Sequence, residues 1–230
     1  MAIIGYLLSQ AKPELIDVNV LMAAQLLIEL AQGSQDQKLL HQIYQSILFD
    51  FRIWSRSQFT VQIGHIQYLS TLVKSDRKYF RRKFGVQYLL DVIRSHYCQE
   101  NDELPNSLTS DDCKTIRVAL FGLIKYFLQR EVSAKEALPL VAFMLSLKNQ
   151  TVLIETIEML THYLDSKSAK DQMFLVLYEW KRADLLYCLL LERNFSLTTR
   201  LTILRLLTCL LQTPRVSLRH KVQRMHLQVG

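Results

Sequence analysis

The chain has 230 residues, half of them hydrophobic and 21% charged, which is ample material for a packed interior and argues against general disorder. With only 6 glycines and 4 prolines it lacks the punctuation that turn-rich all-β folds and Rossmann-type phosphate loops consume. A formal charge of +7 favours acidic proteins, anionic lipid or RNA without selecting among them. In chain order, "DVNVLMAAQLLIELAQG" predicts a helix with Val20, Ala23, Ala24, Leu27 and Leu30 inward, Asp17 as N-cap and Gly33 as the residue just past its end. "DQKLLHQIYQSILF" comes next with Leu39, Ile43 and Ile47 on one side. "FTVQIGHIQYLSTLV" places Val61, His65, Tyr68, Leu69 and Leu72 together.

The segment "KSDRKYFRRKFGVQYLLDVIRS" is basic and then abruptly apolar. On one continuous helix Lys74, Arg77, Lys78 and Arg81 share about a third of the wheel; if Ser75–Asp76 restart the helix, only Arg77 through Lys83 share it. Gly85 is expected to turn the chain at positive φ before Val86, Leu89, Leu90 and Ile93 open the next helix. Residues 99–110, acidic and proline-containing, read as a surface loop, with Ser110 or Asp111 capping the next helix. "DDCKTIRVALFGLIKYFLQ" aligns Ile116, Leu120, Leu123 and Phe127. "ALPLVAFMLSL" carries Pro139 in its first turn, and "QTVLIETIEMLTHYL" aligns Leu153, Ile157, Leu160 and Leu164. Leu185, Leu186, Leu189 and Leu190 form a helix that breaks at Arg193–Asn194 before a longer one, and a last basic amphipathic helix starts near Pro214.

Leu27, Leu69, Leu123, Leu160 and Leu207 recur at roughly 40 residues, the period of armadillo or HEAT units, once the 99–110 excursion is set aside. The expected fold is all-α, an armadillo/HEAT-like right-handed helical solenoid of about four to five repeats, with residues 1–230 as a single domain. The apolar start "MAIIGYLLSQ" agrees with a fragment or short form of a larger protein that lacks a capping repeat, so self-association through uncapped ends is expected.

No enzyme is expected. The histidines are scattered, there is no HExxH, Walker or GxGxxG motif, and neither a cofactor nor a metal site is expected. The 4 cysteines, Cys98, Cys113, Cys188 and Cys209, form no CxxC pair and read as reduced thiols of a cytosolic protein. No apolar stretch reaches the length of about 20 residues that a membrane span needs.

The candidate anion- or partner-binding residues are Lys74, Arg77, Lys78, Arg81, Arg82 and Lys83, with Arg215, Arg219, Lys221 and Arg224 as a second stripe. The primary reading of the first cluster is a solvated helix face whose cations suit the negative end of the dipole. The alternative is an anionic lipid- or RNA-binding module in which Tyr79, Phe80 and Phe84 interleave with the cations as a stacking platform. Nucleic acid is the less favoured of these partners. A nuclear-transport groove is argued against by Trp54 and Trp180, which are out of register.

The stretch "FRIWSRSQF…GHIQYLSTL…RRKFGVQYLLD", with Trp54, Gly64, His65, Tyr68, Leu69, Phe84, Gly85, Val86 and Gln87, resembles the armadillo-like region of BEACH-domain proteins, and most of all the neurobeachin-like branch. The resemblance implies a large cytoplasmic protein, peripheral on endomembranes, whose helical repeats precede pleckstrin-like, BEACH and WD40 modules. It implies a scaffold for protein partners in vesicle or granule trafficking and no active site. It gives Trp54, Gly64, His65 and Gly85 a structural role.

Overall fold

Period-3.6 patterning along the chain yields helices, and among the described residues there is no strand. The computed structural model describes residues 1–98, 108–129, 132–179 and 183–212, the side chains of 183 and 184 excepted. Most of the expected loop, Trp180 and the terminal stripe of Arg215, Arg219, Lys221 and Arg224 lie outside the described residues. By its contacts the chain divides into two compact units: Met1–Asp76 with Ser95–Leu120, and Arg77–Arg94 with the residues described from Phe121 on.

The first unit opens with α1 (Ala2–Gln10) and α2 (Val18–Gly33), then α3 (Gln37–Ile43), which runs into one wide turn at Tyr44–Leu48 closed by Phe49 N–H donating to the Tyr44 carbonyl at 2.8 Å. A short α4 (Phe51–Trp54) precedes a long α5 (Phe59–Ser75). α1 packs on the wide turn and on α4, while α2 packs on α3 and α5. Asp17 caps α2 by accepting from Val20 N–H at 3.1 Å, a bond that holds its carboxyl below the usual range. The buried face of α2 is Leu21, Ala24, Ile28 and Ala31, one residue out of step with the expected set; Leu27 is 36% exposed and Leu30 70%. The left-handed residue that ends this segment is Gln35 at φ 56°, not Gly33, which is still helical. The unit is completed by Ser95–Tyr97 and the first half of α8 (Ser110–Leu128), where Cys113, Ile116 and Leu120 are buried.

α8 is capped by neither Ser110 nor Asp111. Thr109 Oγ1 accepts from Asp112 N–H at 3.1 Å and Asp112 returns the bond to Thr109 N–H at 2.9 Å. Of the 99–110 segment the described residues are Leu108, which is buried, Thr109, which is exposed, and Ser110, which is exposed and already helical.

The second unit takes α6 (Arg77–Phe84), most of α7 (Val86–Tyr97) and the end of α8, then α9 (Ala134–Ser146), α10 (Gln150–Tyr163), α11 (Lys167–Glu179), α12 (Ala183–Cys188) and α13 (Leu197–Leu211). Here α10 lies on α13 and α9 on α12, with α11 touching α9, α12 and α13, so like helices of successive repeats cover one another. Phe80, Ile93, Phe127, Phe143, Phe174 and Ile203 fill the interior. Pro139 is in the second turn of α9 rather than the first. The helix begins earlier, at Ala134, because Ser133 and Glu136 form a reciprocal capping box.

Two glycines give opposite expectations. A Cβ at Gly5 would overlap the Ser46 carbonyl of the wide turn, whereas at Gly33 it meets nothing within 4 Å. Gly5→Ala is expected to cost about 1–3 kcal/mol by forcing backbone apart, and Gly33→Ala to add about 0.5–1 kcal/mol through the unfolded state. Urea midpoints moving in opposite directions would establish this; a Gly5→Ala midpoint at or above wild type would refute it.

Candidate functional site

A helix leaves its last carbonyls without internal donors, and where that end is buried the donors must come from elsewhere. Trp54 and His65 do this for the wide turn. Trp54 Nε1–H donates to the Ile47 carbonyl at 2.8 Å and His65 Nε2–H to Leu48 at 2.7 Å, with the two rings stacked at 4.6 Å and 15°. Both side chains are fully buried. Burial holds the His65 pKa down to about 3, against the pull of the Leu48 bond, so the ring is neutral and stacks as an aromatic. Gly64 lets α5 approach α2: a Cβ there would meet a Leu21 methyl at 3.3 Å.

The same device closes other ends. Arg56, beyond α4, donates Nη2–H to Ser9 at 2.5 Å and Ala11 at 3.3 Å, the end of α1. Arg117 of α8 is buried and donates to the Tyr97 carbonyl, the end of α7, at 2.9 Å. The Tyr97 hydroxyl, its pKa pushed up by burial and then by Cys113, donates to Gln62 Oε1 at 2.7 Å. Gln62 in turn donates to the Ser55 and Ser57 carbonyls. In the second unit Arg77 donates to Tyr126 at 3.1 Å, Phe127 at 2.9 Å and Gln129, while its guanidinium lies 5.6 Å from the Tyr126 ring centre. The Tyr163 hydroxyl donates to the Leu128 carbonyl at 2.9 Å. Every carbonyl from Tyr126 to Gln129 is thereby bonded.

Within the basic cluster the residues differ in what they touch. α5 ends at Ser75, Asp76 leaves helical geometry at φ −139° and ψ 69°, and α6 starts at Arg77. Lys74 belongs to the first unit and the others to the second. Arg77 is held by α8. Arg81 is held by Glu136, with its Nε 2.9 Å and Nη2 2.8 Å from Oε1, while Glu136 Oε2 accepts from Ser133 N–H at 2.9 Å. Lys78, Arg82 and Lys83 are exposed. They line an open groove of about 750 Å³ formed by the end of α6, the start of α7 and the start of α9, where Lys135 joins them. Phe80 and Phe84 are 1% and 7% exposed and stack on each other, so they offer no platform to a base. Gly85 does not turn at positive φ; it is required because a Cβ there would sit 2.8 Å from the Arg81 carbonyl.

Lys135, Ser133 and Glu136 are not among the residues singled out from the sequence, although "SAKE" is a capping-box signature that points to them. Arg56, Arg117 and Gln62 carry no local signal: their partners lie across tertiary contacts.

Stacked like helices, ends tied by side chains and an open surface groove define a helical-repeat protein. A family model described as "Neurobeachin/BDCP, DUF4704 alpha solenoid region" matches residues 1–229, and the chain belongs to that family. The resemblance carried by Leu48 to Tyr97 thus extends over nearly the whole chain. No solved structure matches it.

These bonds can be tested by substitution. Arg77→Lys keeps the charge but cannot bridge the carbonyls, and should cost about 1–3 kcal/mol, while Arg82→Gln should leave the urea midpoint in place; equal effects would remove the capping role. For His65 the unfolded ring has its ordinary pKa of 6.5 and the folded ring about 3, so protons bind the unfolded state more strongly between those values. Stability should therefore be fully present above pH 6.5 and fall by up to about 1.4 kcal/mol per pH unit below it. His65→Gln should flatten that slope, and an unchanged acid slope in the variant would count against it.

Proposed function

We propose that this region is a non-catalytic protein-interaction scaffold in a BEACH-type protein acting in vesicle or granule membrane traffic. The family match across residues 1–229 carries the reading. It is supported by the tied helix ends, since a stiff array offers a partner side chains that need little ordering on binding. The chain works in the cytoplasm, peripherally at endomembranes, through protein partners. Among the described residues no helix is long and apolar enough to cross a membrane.

A labelling enzyme fused to the chain in secretory cells should enrich proteins of vesicle or granule membranes over the free enzyme; a profile equal to that of the free enzyme would overturn the reading. Self-association belongs to the same proposal. Ile3, Tyr6 and Leu7 on α1 and Met22, Leu26 and Leu30 on α2 are exposed, and burying them against a second copy is favourable. Light scattering should show a mass that rises with concentration, and a monodisperse monomer at high concentration would remove that part of the proposal.

A further inference from the structure

We infer that the groove between α6, α7 and α9 is the docking site for an acidic segment of a partner protein. The inference rests on the scaffold reading and assigns it a surface and a partner chemistry.

The first observation is which charges remain after folding. Glu136, one of the two carboxylates that line the groove, has one oxygen bonded by Arg81 and the other by Ser133. Asp91 of α7 accepts at Oδ1 from Gln87 Nε2 at 2.8 Å and, through the same oxygen, lies 3.8 Å from Arg94. Lys78, Arg82, Lys83 and Lys135 are exposed, and among the described residues none of them pairs with a carboxylate. Four cations thus face one groove that holds two carboxylates, one of them bonded at both oxygens. The positive ends of α7 and α9 open onto it and so does the negative end of α6, so the helix ends largely offset one another and the side-chain cations set the sign of the potential.

The second observation is shape. About 750 Å³ is the volume of a ligand-sized cleft, not of a single-ion site. Phe84 and Val86 at its base are buried, Tyr88 is half-buried and Gln87 is exposed, which is a floor an extended chain can lie on. A membrane-binding face needs apolar side chains standing beside its cations, and none of the exposed large apolar residues falls between Arg77 and Arg94 or between Val132 and Glu136. RNA needs open aromatic faces, and Phe80 and Phe84 are closed while Tyr79 and Tyr88 are half-buried. A carboxylate-rich peptide needs only cations in a concave channel, and complementary charge speeds its association.

The test uses the full chain and a labelled glutamate-rich peptide, beside the same peptide with glutamine at every glutamate, monitored by fluorescence polarisation. The glutamate peptide should bind, weaken steeply with salt and outbind the glutamine peptide. Lys83→Glu with Lys135→Glu should weaken binding about tenfold or more, close to 1.4 kcal/mol per factor of ten. Lys38→Glu with Lys114→Glu, exposed residues of the first unit with the same change in net charge, should change it less than about twofold. Circular dichroism reports whether each variant folds; if the first pair does not, Lys78→Gln with Arg82→Gln gives the same readout. Equal weakening by both pairs would trace binding to the general field and overturn the assignment. So would indifference to glutamate, or sedimentation with phosphatidylserine vesicles through Lys83 and Lys135 by a chain that ignores the peptide. Any of these would leave the proximity-labelling test of the scaffold reading standing.

Discussion

A buried helix end is the constraint on which the rest of this structure depends. The last turn of every helix has carbonyls with no internal donor, and leaving one in an apolar interior costs about 1–3 kcal/mol. The common remedy is a glycine that turns the chain back on its own carbonyls. This chain has 6 glycines, and among the described residues none has positive φ. It brings the donors from other segments instead: Arg56 to α1, Trp54 and His65 to the wide turn, Arg117 to α7, and Arg77 with Tyr163 to α8. Each such bond ties a helix end to another segment of the chain, so ending a helix and joining it to a neighbour are one event.

This arrangement sorts the basic residues by role. The long, forked arginines at 56, 77 and 117 reach carbonyls and are consumed by the fold, and Arg81 is consumed by a carboxylate. What remains outward around the groove is mainly lysine, with Arg82. The positive charge of the chain is therefore no guide by itself to its binding surface. The surface emerges only after the structural cations are subtracted, and it includes Lys135, which lies far along the sequence from the cluster on α6.

The fold is most legible in the sequence where periodicity is strict. Ile116, Leu120, Leu123 and Phe127 on α8, and Leu153, Ile157 and Leu160 on α10 with Leu164 just past its end, are buried as their spacing implies. On α2 the apolar residues run around most of the helix, so stripes one residue apart score alike, and only packing on α3 and α5 chooses Leu21, Ala24, Ile28 and Ala31. Leu27 drops out of the recurring spine for that reason. Residue type alone is a poor guide to turn chemistry: the left-handed conformation sits on Gln35, while Gly5 and Gly85 are there for close approach to a carbonyl. The resemblance marks Trp54 and His65 each as structural, but that they stack on one another, and that they hold Ile47 and Leu48, depends on a wide turn with no sequence signal. The groove is half legible, since α6 is a local run and its opposite wall is not.

Amide hydrogen exchange along the intact chain tests the central claim most directly. If the ends of α7 and α8 are held from outside, the amides of their last turns, through Tyr97 and Leu128, should exchange as slowly as those at the helix centres and should open together with them. Rapid fraying confined to those last turns, with slow centres, would contradict the account, because it would mean that Arg117, Arg77 and Tyr163 do not hold the ends they touch.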